Sequence, residues 1–259
     1  MTGPGGNADR PLSINRLIPD PGTTTIEDEL NGYTPFDRPH EDRPWVAVNM
    51  VTTLDGRAAI NGRSRDLGTQ ADTDHLLRLR TRFDAVMIGA GTMRAERYGR
   101  IVGSPDDRAR RERIGLPHDP LAVIISGRLD LPWDAPLFTN GGGRVLVFTR
   151  DTGPAPETAT SLRTVSAPGG IEIGEVLRYL RKERGIRALL CEGGPHTLGQ
   201  LLDADHVDEL FLTVTPVTTG GDAPRIVEGA ETGMRDFDLV GMLESDGDLL
   251  LRYRRRQVR

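Results

Sequence analysis

Two short runs, Gly89-Ala90-Gly91-Thr92 and Cys191-Glu192-Gly193-Gly194-Pro195-His196-Thr197-Leu198, carry residue types suited to holding phosphates. Each follows an apolar run and opens a helical pattern, so glycine brings the backbone close to an anion and free N–H groups at the helix start favour negative charge. Two such turns at the carboxyl ends of strands are what a nucleotide lying across a sheet edge requires. The first is not the full dinucleotide fingerprint: its third-glycine position is Arg94, and it does not sit in the first strand–helix unit. Glu192, at a strand end, is either a ligand-facing carboxylate or a cap on neighbouring amides, and its place in such a crevice favours the ligand. A third run, Asn49-Met50-Val51-Thr52-Thr53-Leu54-Asp55-Gly56-Arg57, takes a strand into a Thr-Thr step and an Asp-Gly turn. Its hydroxyls, Thr52 and Thr53, are candidates to meet a bound ring. His196 adjoins the second glycine turn, whereas His75, His118 and His206 lack metal-ligand spacing, and His75 is expected to face solvent. No metal site is expected. Cys191 is the single cysteine, which leaves no internal disulfide and no Cys-x-x-Cys site.

The elements that must position these turns follow from apolar patterning. Trp45 to Val51 is a nearly continuous apolar, β-branched run suited to a strand buried on both faces of a parallel sheet. Leu76, Leu77, Leu79 and Phe83 form a helix stripe after Gln70 to Asp74, and Ala85 to Ile88 is the next strand. Leu121 to Ile125 and Arg144 to Phe148 are two more. Ile173, Val176, Leu177 and Leu180 mark a helix ended by Gly185, with a strand at Ala188 to Cys191 behind it. This alternation predicts a mostly parallel sheet flanked by helices. From about residue 206 the pattern changes to strands at 207–214, 237–240 and 249–253 with short connections, an antiparallel C-terminal extension. Stretches near 103–119, 127–143 and 152–170 read as surface loops, and the charges of Arg108, Arg110, Arg111 and Arg113 as a solvated loop or short helix. Residues 1–43, with one apolar patch at Leu12, Ile14, Leu17 and Ile18, read as an arm lying on the domain or on a partner subunit. Residues 44–259 form the domain proper.

With 259 residues and 37% apolar content the chain can bury a substantial core. Its net charge of −5 argues against nucleic acid or an anionic membrane as partner. The terminal run Arg252, Arg254, Arg255, Arg256 and Arg259 reads as the exposed basic face of a closing strand. No segment has the apolar length of a membrane span, and the first residues lack the pattern of a signal peptide, so a cytoplasmic location is expected.

The succession Thr-Leu-Asp-Gly-Arg, Gly-Arg-Ser-Arg-Asp, Leu-Arg-Leu-Arg, Asp-Ala-Val-Met-Ile-Gly-Ala-Gly-Thr and Glu-Gly-Gly-Pro resembles the RibD C-terminal reductase family over roughly residues 44 to 256. The resemblance implies a dihydrofolate-reductase-like α/β fold, usually dimeric, in which NADPH gives a hydride to C1′ of a 5-amino-6-ribosylaminouracil phosphate. By position it assigns the cofactor to Met50, Thr52, Gly89, Gly91, Thr92 and Glu96, and to the second loop, Gly193, Gly194, Pro195, His196, Thr197 and Leu198. Ser126 and Arg128 are candidates for the 2′-phosphate, a guanidinium being suited to that dianion. Ser64, Arg80 and Glu192 stand where the family binds the pyrimidine, and Arg97 or Arg100 is the candidate grip on its phosphate. Asp55 and Glu192 are the candidate proton donors. The chain departs from the family in having Ala95-Glu96-Arg97-Tyr98-Gly99-Arg100 where many members have Ala-Asp-Asp-Pro, and in having Asp66 for a common Trp. The zinc ligands of the deaminase fused to many relatives are absent from this sequence. Reduction of dihydrofolate or another pterin on the same fold, and cofactor binding without turnover, are the alternatives. A homodimer through the C-terminal strands is expected from the resemblance.

Overall fold

The computed structural model describes residues 14–256; Leu12 of the predicted apolar patch and Arg259 of the basic run lie outside them. The chain opens with β1 (Ile14–Ile18), β2 (Gly22–Thr24), α1 (Ile26–Leu30) and a single 3-10 turn at Pro35–Asp37. It continues with β3 (Trp45–Thr53), α2 (Gln70–Arg80), β4 (Ala85–Gly89), α3 (Ala90–Glu96), α4 (Pro105–Arg113), β5 (Leu121–Ile125), α5 (Pro136–Thr139), β6 (Arg144–Thr149) and β7 (Ser161–Ser166). The last part comprises α6 (Ile173–Arg184), β8 (Ala188–Cys191), α7 (Pro195–Asp203), β9 (Glu209–Thr215), β10 (Phe237–Ser245) and β11 (Asp248–Arg255). All strands join one sheet in the order β2-β1-β10-β11-β9-β3-β8-β4-β5-β6-β7.

β3 is buried from Val46 to Thr53 because it pairs in parallel with both β8 and β9 and is covered on each face. Alternate residues feed two cores. Ala47 joins Leu79, Phe83, Met93 and Phe138 on the α2 and α3 side, while Val46, Val48 and Met50 join Val176, Leu177 and Leu198 on the α6 and α7 side. Helix α6 buries Ile173, Val176, Leu177 and Leu180, each worth about 1.5–3 kcal/mol when fully withdrawn from water. Gly185 then ends it in the left-handed conformation at φ 66°.

The chain steps outward from β4 through β5, β6 and β7, then returns to place β8 in the gap between β3 and β4. β8 therefore brings its glycine turn beside the turn that follows β4. The sheet becomes antiparallel at β11, which pairs with β9, and stays so through β10, β1 and β2.

Several local expectations are corrected. Of the three stretches taken as loops, the first contains α4, the short helix that is one of its two readings, and the others contain α5 and the edge strand β7, whose exposed and half-buried residues hide the usual strand signature. Arg111 is fully buried, its guanidinium donating to the carbonyls of Arg80, Phe83 and Pro117 and so closing the ends of neighbouring elements. His75 is buried edge-on against Phe211 of β9 instead of facing water, and burial pulls its pKa down to about 4. The connection from β9 to β10 is long, from Pro216 to Asp236, because β11 lies between the two strands. The terminal arginines are paired: Arg252 and Arg254 with Glu209, Arg255 with Asp205, Arg256 with Asp238.

Residues 14–43 are woven into this frame. β1 pairs with β10, Arg43 makes a two-bond pair with Asp208, and the Tyr33 hydroxyl donates to the buried Glu209 carboxylate. Among the described residues no helix is long and apolar enough to cross a membrane.

Candidate active site

The carboxyl ends of β3, β8 and β4 open onto a cavity of about 880 Å³. Its floor is made by the two glycine turns, which interlock. The Gly89 amide donates to the Gly193 carbonyl at 2.8 Å. A Cβ on Gly89 would lie 3.0 Å from the Gly194 nitrogen and 2.8 Å from Thr197 Oγ1, and one on Gly194 would lie 2.7 Å from Thr92 Oγ1. Gly193 adopts φ +84° with Met50 Sδ beside it. Side chains are thus excluded from three of the glycines by packing. Gly91 differs, since a Cβ there would meet no protein atom within 4 Å, so the cavity reaches the main chain itself.

Neither α3 nor α7 has a side chain capping its first turn, and Gly91, Thr92, Gly194 and His196 line the cavity. Uncapped amides beside bare backbone fit the phosphates of a dinucleotide. Met50 and Thr197 line the same space. These residues are the ones that could hold such a cofactor.

Above the turns stands a buried ion pair. Arg80, at the end of α2, donates from Nε and from a terminal nitrogen to the two oxygens of Glu192, both at 2.7 Å. Their side chains are 13% and 3% exposed, so the pair is largely out of water. Burial pulls the guanidinium pKa down, but the Glu192 carboxylate against it more than reverses this and leaves it raised. Tyr98 lies under the guanidinium, 5.4 Å from ring centre to Cζ, and burial followed by the Glu192 charge holds its phenol well above the ordinary range. A forked pair of this geometry engages both oxygens of Glu192. It is therefore poorly placed to serve as a proton donor and well placed to orient a ligand.

The other candidates separate into those at the cavity and those elsewhere. Ser64 lines it, and Glu96 accepts from both the Ser64 amide and hydroxyl, at 2.7 and 3.0 Å. Glu96 thus anchors the 60s loop where the sequence suggested a cofactor contact. Arg97 lines the mouth, with its guanidinium on Asp134 at 2.6 Å. Arg100 turns away to a two-bond pair with Asp119. Thr52 is buried and donates to the Thr53 carbonyl, Leu198 packs into the core, and Ser126 is buried at the end of β5. None of these four is among the cavity's lining residues. Arg128 is exposed at the end of β5, and Arg150, absent from the sequence-based candidates, lies against Gly127 at the end of neighbouring β6. Asp55 is also outside the cavity. It accepts from the Thr53 hydroxyl and from the Gly220 and Thr219 amides, contacts that hold its pKa down at about 2. Such a carboxylate carries no proton to donate near neutral pH.

Among the cavity residues not singled out from the sequence are Asn49, Asp72 and Tyr98. Asn49 sits on the α2-facing side of β3 with Ala47, where an amide among apolar neighbours was the available signal. Asp72 lies in the first turn of α2, a position in which an acidic residue ordinarily serves the helix.

Comparison with known proteins supplies the lineage. The family described as RibD C-terminal domain matches residues 44–251. A 2,5-diamino-6-ribosylamino-4(3H)-pyrimidinone 5′-phosphate reductase of Archaeoglobus fulgidus is 29% identical over 193 residues, covering 72% of this chain and 87% of that protein. Riboflavin biosynthesis protein RibD of Bacillus amyloliquefaciens is 27% identical over 72% of this chain, which spans only 49% of that longer protein. Among solved structures, a pyrimidine reductase-like protein of Corynebacterium diphtheriae superposes with a TM-score of 0.76 at 21% identity, covering 91% of this chain and all of that one, a likeness of fold. With its parallel core, paired glycine turns and match across residues 44–251, the chain belongs to the RibD C-terminal domain family, the reductase family of riboflavin biosynthesis.

Proposed function

We propose that this chain is an NADPH-dependent reductase acting on a 6-ribosylaminopyrimidine 5′-phosphate, delivering hydride to C1′ as the C1′–O4′ bond breaks, with the ring oxygen taking a proton from solvent, so that the ribose opens to a ribityl chain. The observation that carries the reading is the juxtaposition, in one cavity, of the interlocked glycine turns and the buried Arg80–Glu192 pair. The cofactor supplies the hydride when bound. The protein's own contribution is placement and exclusion of water.

In this reading the amides of α3 and α7 hold the cofactor phosphates, and Met50 borders the nicotinamide. Arg128 and Arg150 are the cations within reach of the β5 and β6 ends for a 2′-phosphate, which would favour NADPH over NADH. Arg80, Glu192 and Tyr98 form a rigid polar wall against which the substrate is oriented, and Ser64, held by Glu96, closes it from the 60s loop. Arg97 exchanges Asp134 for the substrate phosphate. A homodimer through the C-terminal strands and a cytoplasmic setting belong to the same proposal.

The test is oxidation of NADPH by purified protein given the 5-amino-6-ribosylaminouracil phosphate or its 2,5-diaminopyrimidinone counterpart, with dihydrofolate as the competing substrate. Turnover of either pyrimidine on the order of 1 to 1,000 per second supports the reading. Arg80→Ala then lowers kcat/KM by about 10³-fold. Tight NADPH binding without oxidation by any of the three would instead mark a cofactor-binding relative that has lost turnover.

A further inference from the structure

Among the described residues, two buried side-chain oxygens on the cavity have no hydrogen-bond partner: Oδ1 of Asn49 and Oδ1 of Asp72. The two residues are 8% and 9% exposed. Buried polar atoms are almost always partnered, and an unpartnered acceptor is costly, more so when charged. Here two such acceptors belong to residues, one on β3 and one on α2, that line the same cavity.

The site is built, not incidental. Thr69, at the N-cap of α2, sends its hydroxyl to Asp248 of β11 at 2.6 Å and so ties the start of the helix to the sheet. Asp72 follows in the first turn, close enough to the Thr213 hydroxyl of β9 for that group to lower its carboxyl pKa. Gly68 lies bare against it, since a Cβ there would be 2.2 Å from Oδ2. Asp72, Leu76 and Arg80 recur at four-residue intervals and all line the cavity, so one helix face presents both this carboxylate and the Arg80–Glu192 wall. Burial pushes the Asp72 carboxyl up to about 6, the Thr213 hydroxyl offsetting part of the rise and the Asp248 charge adding to it. At neutral pH the group still faces the cavity as a carboxylate.

We propose that Asp72, with Asn49, reads the ring edge of the substrate and selects a 2-amino-4-oxopyrimidine over a 2,4-dioxopyrimidine. The inference rests on the reductase reading of this cavity and sharpens it. A 2-amino-4-oxo ring presents two adjacent donors, N3–H and the 2-amino group, which a carboxylate accepts side by side. The uracil ring puts a carbonyl oxygen where the amino group stands, acceptor against acceptor. The Asn49 amide can turn to offer either its oxygen or its nitrogen, but the Asp72 carboxylate offers only acceptors. Discrimination therefore falls on Asp72. The same edge occurs in 2,5-diamino-6-ribosylamino-4(3H)-pyrimidinone 5′-phosphate and in dihydrofolate, and the measurement separates these two sources.

Dissociation constants in the presence of NADP⁺, and kcat/KM with NADPH, are measured on the full chain for the diaminopyrimidinone phosphate, its uracil counterpart and dihydrofolate. The expected result is a preference on the order of 10²-fold for the diaminopyrimidinone over the uracil ligand. In Asp72→Asn the ratio falls to within several-fold, because the amide can donate to the uracil carbonyl. Equal or better binding of the uracil ligand by the wild-type protein overturns the proposal, with no variant needed. An unchanged ratio in Asp72→Asn overturns it too, since a merely structural role would weaken both ligands alike. If neither pyrimidine is reduced but the Asp72-dependent ratio persists in binding, the reductase assignment falls and the ring-edge assignment stands. Asp72-dependent binding and reduction of dihydrofolate alone supports the edge and moves its source to a pterin. Absence of binding by all three ligands overturns the inference.

Discussion

Two carboxylates on the α2 side of the sheet are both buried, yet they are treated in opposite ways. Glu209, on β9, is fully buried and saturated: Tyr33, Trp45, Arg252 and Arg254 all donate to it. Four residues further along the same strand face, Thr213 lies near Asp72, which keeps one buried oxygen unpartnered. The first arrangement holds the N-terminal segment and the C-terminal strands together. The second leaves the acceptor on which the proposed ring-edge contact rests. Between these two carboxylates it is the count of donors, not burial, that differs.

The largest effect that tests this contrast is on stability. Glu209→Ala leaves the Arg252 and Arg254 guanidiniums without their carboxylate and should cost on the order of 3–5 kcal/mol in urea unfolding. A loss below about 1 kcal/mol would mean that the cluster is ornamental and would erase the contrast.

Asp72→Asn should act in the opposite direction. The folded protein raises the Asp72 pKa from 3.8 to about 6, so it binds this proton more tightly than the unfolded chain. Its contribution to stability is fully present below the unfolded value and is lost as pH rises through the folded one. Removing the ionisation should therefore stabilise the protein by about 2–3 kcal/mol at pH near 8 and by almost nothing near pH 3.5. A variant destabilised at both ends of the pH range would show Asp72 to be a structural group like Glu209.

A smaller effect concerns the glycine turns. Gly89→Ala forces its new Cβ against the Gly194 nitrogen, so one turn must move relative to the other. NADPH affinity should weaken by about tenfold, near 1.4 kcal/mol, with the pyrimidine affinity little changed. Equal loss of both would place the ring and the phosphates on a common support. The smallest effect is expected at Asp55→Asn. Because that carboxylate serves the 217–220 loop outside the cavity, turnover should stay within about twofold, well under the 1.4 kcal/mol that a tenfold change represents.

Much of this architecture is legible in the sequence because it rests on local periodicity. The β3 run, the α6 stripe ending at Gly185 and both glycine turns announce themselves within a dozen residues or fewer. What escapes such reading is set by partners distant in the chain. His75 looks like a solvent-facing helix residue until Phe211 of β9 covers it. Arg111 sits in a run of charges, yet it alone turns inward because the carbonyls of Arg80 and Phe83 end beside it. β7 lies at the sheet edge, where one covered side gives only a faint apolar alternation. At the site, the glycine pattern points to the cavity, but only the folded chain shows that Glu192 is locked to Arg80, that Asp55 stands outside and that Asp72 stands within.

The pairing of β1 with β10 joins Asn15 to Glu244. On the ribosome the strand at residues 14–18 must therefore wait until nearly the whole of the sheet has been made before it finds its neighbour. Until then the strand at 14–18 has an open flank of unpaired amides and carbonyls, the kind of border on which nascent chains join one another. The N-terminal segment thus acts as a late seam: a chain that lost it would retain the catalytic crevice yet expose an adhesive margin, and its yield in the cell should suffer before its chemistry does.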